Sequence, residues 1–264
     1  MLMRRQRYTS DLTRQQFKRL EPLLPTGKAG GRPRTVDLYE VMCAIMYVLQ
    51  NGCAWRNLPH DFPAWETVYG YFRRFQHDGT WEAVNRFLVR RTRRKAKRDP
   101  EPSAGSIDSQ TVRCAPQAGI RGVDAGKKTN GRKRHVVVDA LGLLLGVYVT
   151  GGGVQDRVAA PILLGILAKR YPRLKHIWAD GGYLGEVVTW AEKVLGWVVE
   201  IVHGISGQRG FVVRPRRWVV ERSLAWLTRC RRLTRDFEGR PETTEAWCYL
   251  ASIRLMLRRL DPAA

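Results

Sequence analysis

Apolar residues recur at intervals of three and four over most of the first hundred positions, and that period predicts helices. Leu12 to Phe17 combines a Thr13 to Gln16 capping box with a Leu12 to Phe17 hydrophobic staple, so a helix starts there and runs to about Leu24. Val41, Ala44, Ile45, Val48 and Leu49 mark a second helix, from about Asp37 to Asn51, which Gly52 ends. A third presents Trp65, Val68, Tyr69, Phe72 and Phe75 on one face and Tyr71, Arg73 and Arg74 on the other. A fourth begins at about Thr80, carries Trp81, Val84, Phe87 and Leu88, and runs into the basic residues Arg90 to Arg98. Short helices, tight turns and basic ends fit either a helix-turn-helix module or a plain helical bundle.

Asp99-Pro100-Glu101-Pro102 then breaks any regular element, and the rhythm changes beyond it. Ser106 to Arg113, His135 to Asp139 and Leu143 to Thr150 read as strands, the last two joined by a turn at Leu141-Gly142. A helix from about Ala159 to Arg170, a short strand His176 to Ala179, a helix Glu186 to Val194 and a strand Trp197 to Val202 follow. The order predicts an α/β unit with a mixed sheet flanked by helices. The expected organisation is therefore an N-terminal all-α domain with a basic arm over residues 1–98, a linker over 99–105, and an α/β domain over 106–264 that ends in the helix Pro241 to Leu260.

The remaining helix, Arg217 to Phe237, carries Val220, Leu224 and Leu227 at helical spacing, with Glu221 beside that apolar stripe. A carboxylate so placed needs a cation, either a side chain such as Arg217 or a metal ion.

Charge sharpens the picture. The 264 residues hold 46 Lys and Arg against 24 Asp and Glu, a net +22. Such an excess strains a compact fold unless a polyanion neutralises it, and nucleic acid is the expected one. The Gly, Pro and Arg stretch Gly30 to Arg34 suits an arm laid on phosphates, with Arg32 and Arg34 as contacts. The longest apolar run, Ala140 to Thr150, is too short for a bilayer span, Arg254, Arg258 and Arg259 exclude the last helix from one, and the N-terminus lacks the apolar core of a signal peptide. Five scattered cysteines without a Cys-x-x-Cys pair indicate neither zinc nor a disulfide framework, and suit a reducing cytoplasm.

In so basic a chain, the acids at element ends stand out. Asp108 lies in the first strand, Asp180 at the carboxyl end of another before Gly181-Gly182-Tyr183, and Glu221 on the late helix. Ligands of α/β sheets gather beyond carboxyl ends of strands, so the three can meet. Together they would repel unless hard divalent cations, Mg²⁺ with Mn²⁺ tolerated, lay between them. Taken singly, each acid also fits a turn or strand-end role.

Ser106-Ile107-Asp108-Ser109-Gln110, Asp180-Gly181-Gly182-Tyr183 and Arg217-Trp218-Val219-Val220-Glu221-Arg222 resemble the three acidic blocks of DDE transposases of bacterial insertion sequences, of the subgroup numbered five. The resemblance extends to Gly126-Lys127-Lys128, Arg132-Lys133-Arg134-His135, Gln155-Asp156-Arg157, Arg229-Cys230-Arg231-Arg232-Leu233, and Trp55 to Pro59 with Trp65 to Tyr69 in the first domain. It implies a ribonuclease H-like fold, with Asp108, Asp180 and Glu221 holding two Mg²⁺, hydrolysis at transposon ends and attack of the 3′-hydroxyl on target DNA. The broader signature has Tyr where this chain has Arg214, and its basic position after Glu221 falls on Arg229 instead of Thr228.

DNA contact is accordingly expected of Arg32, Arg34, Arg73, Arg74, Lys127, Lys128, Arg132, Lys133, Arg134, Arg217, Arg229 and Arg232, and base stacking of Tyr183. The expected partners are double-stranded DNA and at least a second copy of the chain, in the nucleoid-associated cytoplasm. The alternatives are a catalytically silent DNA-binding regulator, and a metal-dependent nuclease or resolvase that cleaves without joining.

Overall fold

The computed structural model describes residues 5–26, 35–202 and 217–262. Four helices, α1 (Arg14–Leu20), α2 (Leu38–Asn51), α3 (Trp65–His77) and α4 (Thr80–Lys95), precede the sheet. Thr13 caps α1 with the reciprocal Gln16 contact, and Gly52 closes α2 in a left-handed conformation, φ 72°. Both ends are where the pattern puts them. The expected arm, with Arg32 and Arg34, lies outside the described residues.

The sheet holds β1 (Ala104–Arg113), β2 (Gly122–Asp124), β3 (Thr129–Asp139), β4 (Leu144–Gly151), β5 (His176–Ala179) and β6 (Val198–Ile201). β1 lies between antiparallel β3 and parallel β5, and β6 extends the parallel side. β4 and the short β2 share the outer edge of β3. Three antiparallel strands followed by two parallel ones form the ribonuclease H-like mixed sheet that the resemblance implies. Helices α5 (Asp156–Arg170) and α6 (Glu186–Trp190) connect the parallel strands, and α7 (Trp218–Thr228) and α8 (Pro241–Leu260) complete the fold.

Two boundaries differ from the sequence reading by more than one turn of chain, for related reasons. β3 begins at Thr129 instead of His135, so the basic run Arg132-Lys133-Arg134 lies inside a central strand and not in a surface loop. α7 stops at Thr228 instead of Phe237, and the chain turns through Arg231–Leu233. That turn brings the Leu233 carbonyl and Asp236 to the arginines of β3. The hydrogen bonds there outweigh the helical propensity of the segment.

One apolar core joins the helical layer to the sheet. Helix α8 forms its centre: Trp247 stacks on Phe72 at 4.4 Å between ring centroids, and on Trp55 at 5.6 Å. Asn85 of α4 donates to the Leu144 carbonyl at 2.7 Å, and Arg93 of α4 pairs with buried Asp139 at the end of β3. The connection between the layers is tied down by ion pairs of Asp99 with Arg173 and Glu101 with Arg90.

Glu245 of α8 accepts from the Val149 amide at 2.9 Å, and burial, with Glu242 adding to it, pushes its carboxyl up to about 7. The native state therefore binds this proton more tightly than the unfolded chain. The favourable contribution is complete below the ordinary carboxyl value of 4.5 and is lost as pH rises to about 7. Urea melts of Glu245→Gln at pH 5 and pH 8 should show a stability drop smaller than that of the native chain by about 2 kcal/mol. Equal drops would remove Glu245 as the cause.

Candidate active site

β5 pairs with β1 only across Ala104–Ser106, so the β5-side edge of β1 opens from Ile107 onward. Asp108 stands in that notch, and Asp180 enters it as the first residue after β5. Asp180 accepts from the Gly182 amide at 2.8 Å, a short Asx turn that two glycines allow. The first turn of α7 closes the notch. Ser223 fixes that helix to the β3–β4 turn, donating to Gly142 O at 3.0 Å, and Gly142 has φ 78° there.

Arg217 sits between the acids. Its Nη2 lies 3.4 Å from Asp180 Oδ2 and 3.7 Å from Glu221 Oε1. The sequence reading placed Glu221 against the apolar stripe, and the structure reverses the pair: Arg217 is 6% exposed, whereas the Glu221 side chain is 43% exposed. The long guanidinium stem covers apolar surface while its head reaches the notch. Arg217 is thus the protein-supplied cation of the two candidates. Among the described residues no three His, Cys, Asp or Glu side chains approach closely enough to hold a metal ion.

The donor set nonetheless fits a hard cation. Burial, with Asp180 adding to it against Ser109 N–H, Arg217 and Lys127, pushes the Asp108 carboxyl up to about 6. Its described hydrogen bond comes from the Ser109 amide, at 2.7 Å. A carboxylate held up by burial and a like charge is the group that a divalent ion would stabilise. Lys127 is exposed beside it and donates to Ser109 O at 3.0 Å.

The expected DNA contacts divide. Lys127, Lys128 and Arg229 are exposed, and Arg73 and Arg74 are half-buried, with Arg74 over the rings of Tyr71 and Phe75. The basic run of β3 is a correction. Arg132 is fully buried and donates to Asp236 Oδ1 at 3.1 Å and to the carbonyls of Ile120, Glu238 and Gly239 at 2.8 to 3.0 Å. Arg134, equally buried, donates to Leu233 O at 2.8 Å. Lys133, on the opposite face of the strand, lies 3.5 Å from Asp124 and 3.3 Å from Asp156. Arg232 is buried against Glu238 at 2.7 Å and Cys53 O at 2.9 Å.

These four hold the fold and offer no surface to a phosphate. Consecutive residues of a central strand face two covered sides, so charges there must be neutralised internally. Tyr183 is a second correction: it is 1% exposed, so no base stacks on it as it stands. Burial, with Asp156, Asp108 and Asp180 adding to it, holds its phenol well above the usual range, and its buried hydroxyl has no hydrogen-bond partner among the described residues.

Trp218, the first residue of α7 and next to Arg217, is an exposed aromatic that sequence reasoning did not assign to the site. Arg222 lies 4.3 Å from its ring centroid and 4.4 Å from that of Trp226. A Trp, Arg and Trp at four-residue spacing was the signal available for it.

Two carboxylates at the open edge of a ribonuclease H-like sheet, with a third on a helix packed across it, are the arrangement that the resemblance to DDE nucleic-acid recombinases leads one to expect. The comparisons agree. Residues 99–256 match the transposase DDE domain, and residues 12–85 match a family described as transposases of the IS4/5 type. The chain belongs to the DDE transposase family, enzymes that cut and join DNA. It is 32% identical over 190 residues to a transposase ascribed to insertion sequence element IS402 of Burkholderia cepacia, covering 66% of this chain and 88% of that one. Among solved structures, the Mos1 transposase paired-end complex with left transposon end aligns at 12% identity and a TM-score of 0.25, across 66% of this chain and 61% of that one.

Proposed function

We propose that this chain binds the ends of its insertion sequence as duplex DNA, hydrolyses a phosphodiester at each end and joins the 3′-hydroxyls to target DNA. The observation that supports it most directly is the placement of Asp180 and Glu221 on either side of Arg217, at 3.4 and 3.7 Å, with Asp108 close enough for Asp180 to raise its carboxyl. Asp108, Asp180 and Glu221 would hold two Mg²⁺, with Mn²⁺ tolerated; such ions activate an attacking oxygen and stabilise a leaving one. Arg217 orients Glu221 and Asp180 toward that task. Lys127, exposed beside Asp108, is placed to receive the scissile phosphate, and Lys128 and Arg229 extend the phosphate-binding surface. Arg73 and Arg74 on α3, with Arg32 and Arg34 of the arm, serve the DNA further from the cut. Trp218, half covered by Arg222, offers a ring to a base at the strand end. Joining two ends calls for at least a dimer. No described helix is long and apolar enough to cross a membrane.

The test uses the DNA that natively flanks the gene, Mg²⁺ and the native chain. End duplexes should be cut and joined to a target plasmid, and binding should fall steeply with salt, log K against log salt having a slope of about −0.9 per phosphate contacted. Cutting without joining would identify a nuclease or resolvase instead. Binding without either would identify a regulator, and a salt-insensitive complex would mean that the basic surface does not face DNA.

A further inference from the structure

Behind the acids lies a cavity of about 240 Å³, enclosed by α7, the second half of α8 and one face of β3. Its walls begin next to the notch. Val136 is the cross-strand partner of Asp108, and Leu224 follows Glu221 by three residues on α7. Such neighbours stand about 5 Å apart, so the cavity starts one residue's width from the acids.

The floor is buried and apolar, formed by Val136, Leu144, Leu224 and Leu227. The rim is different in kind: Arg229, Arg254 and Arg258, with Gln50 beside them, and among the described residues no acidic side chain lines the space. Among the described residues none of the three arginines has a carboxylate within ion-pair distance. Arg254 donates to Gln50 Oε1 at 2.7 Å, a neutral partner. Burial, and then the neighbouring Arg258, hold its guanidinium below the ordinary arginine value. Arg229 and Arg258 are exposed, so the cavity opens to solvent on its charged side.

Three cations without an anion, over an apolar hollow, call for a ligand that is planar and apolar at one end and anionic at the other. Size permits a ring: an engineered apolar cavity of about 150 Å³ in another protein admits benzene. Trp226 lines the same space, its ring flanked by Arg222 at 4.4 Å and Arg259 at 4.8 Å. A paired base cannot enter, because its faces are already stacked and its edge is committed to its partner.

We propose that this cavity seats one unpaired nucleotide of the DNA strand lying over the acids, its base on the apolar floor and its phosphate on the Arg229, Arg254 and Arg258 rim. The seat rests on the transposase reading and adds to it a site for single-stranded DNA. It would hold a frayed strand in fixed register with Asp108, because one wall residue is paired to that acid across the sheet.

The test is fluorescence anisotropy on the full chain with two probes: a short single-stranded pyrimidine oligonucleotide, and the same oligonucleotide with abasic sites. The native flanking duplex serves as reference. Leu227→Trp fills the floor, and Arg258→Gln, at an exposed position, removes one rim charge without touching the core. The native chain should bind the intact oligonucleotide about ten-fold more tightly than the abasic one, the range that stacking of one base supplies. Leu227→Trp should abolish that preference. Arg258→Gln should weaken both single-stranded probes and lower the salt slope by about 0.7. Both variants should bind the duplex within about two-fold of the native chain.

Equal affinity of the native chain for intact and abasic probes overturns the seat. So does single-stranded binding by Arg258→Gln that is indistinguishable from native, a result that stands even if Leu227→Trp does not fold. Failure of the native chain to bind the flanking duplex would instead overturn the transposase reading, so the two failures are distinct.

Discussion

Asp108→Asn should lower end cleavage by at least about a thousand-fold, the scale of losing a group on which the chemistry turns, while end-duplex binding stays within about two-fold. The shape of the side chain is kept, and the amide oxygen can still accept from the Ser109 amide as Asp108 Oδ1 does at 2.7 Å. What disappears is a negative charge in a buried notch that already contains Asp180. The same substitution separates a metal ligand from a phosphate contact by its effect on stability. Burial raises the native carboxyl from 3.8 to about 6, so the native state binds the proton more tightly than the unfolded chain. That contribution is complete below about pH 4 and is lost as pH rises to about 6. At pH 8 in chelator, the variant should therefore be the more stable chain, by about 2 kcal/mol after allowance for partial exposure. Adding Mg²⁺ should raise the melting temperature of the native chain and leave that of the variant unchanged. A variant that still cuts, or that gains the same stabilisation from Mg²⁺, would remove Asp108 from the metal site.

Arg132→Met should cost about 3–5 kcal/mol, enough to leave much of the chain unfolded at 37 °C, because it strands a buried carboxylate. Asp236 is 1% exposed and would keep its bonds from Thr244 Oγ1 at 2.8 Å and Glu238 N at 3.0 Å, but not its cation. The carbonyls of Ile120, Glu238 and Gly239 would lose their donor at the same time. Lys128→Met removes the same formal charge from an exposed position four residues earlier. It should leave the melting temperature almost unchanged and weaken DNA binding by the share of one phosphate contact. Paired melting and gel-shift measurements on the two variants decide the roles. An Arg132→Met chain that melts like the native one and loses only DNA affinity would place that arginine on the interface after all.

That contrast marks where sequence reading succeeds on this chain and where it stops. Helices α1 and α2 were legible because local chemistry settles their ends: the Thr13 to Gln16 box needs only four residues, and Gly52 takes a φ that other residues avoid. The order of strands and helices after Asp99 was legible from the change of apolar period, and the mixed sheet followed from it. The sequence singles out Asp108, Asp180 and Glu221 because carboxylates are few in so basic a chain; in the structure Asp180 directly follows β5 and Glu221 lies in the first turn of α7, whereas Asp108 sits in the middle of β1.

Burial of charge was not. Arg132-Lys133-Arg134 reads as a surface run, since nothing local shows that Asp124, Asp156, Asp236 and Glu238, as much as 106 residues away, converge on it. The sequence by itself determined the periodicities, the capped ends, the fold class and which carboxylates are available, all of which depend on neighbours within a turn or a strand. Only the tertiary structure decided that Arg217 goes inward while Glu221 faces solvent, that Tyr183 is enclosed, and that Arg229, just past the end of α7, and Arg254 and Arg258 of α8 surround one hollow. Each of those outcomes depends on desolvation and on partners distant in the chain, and a charge acquires its energy from what is packed around it.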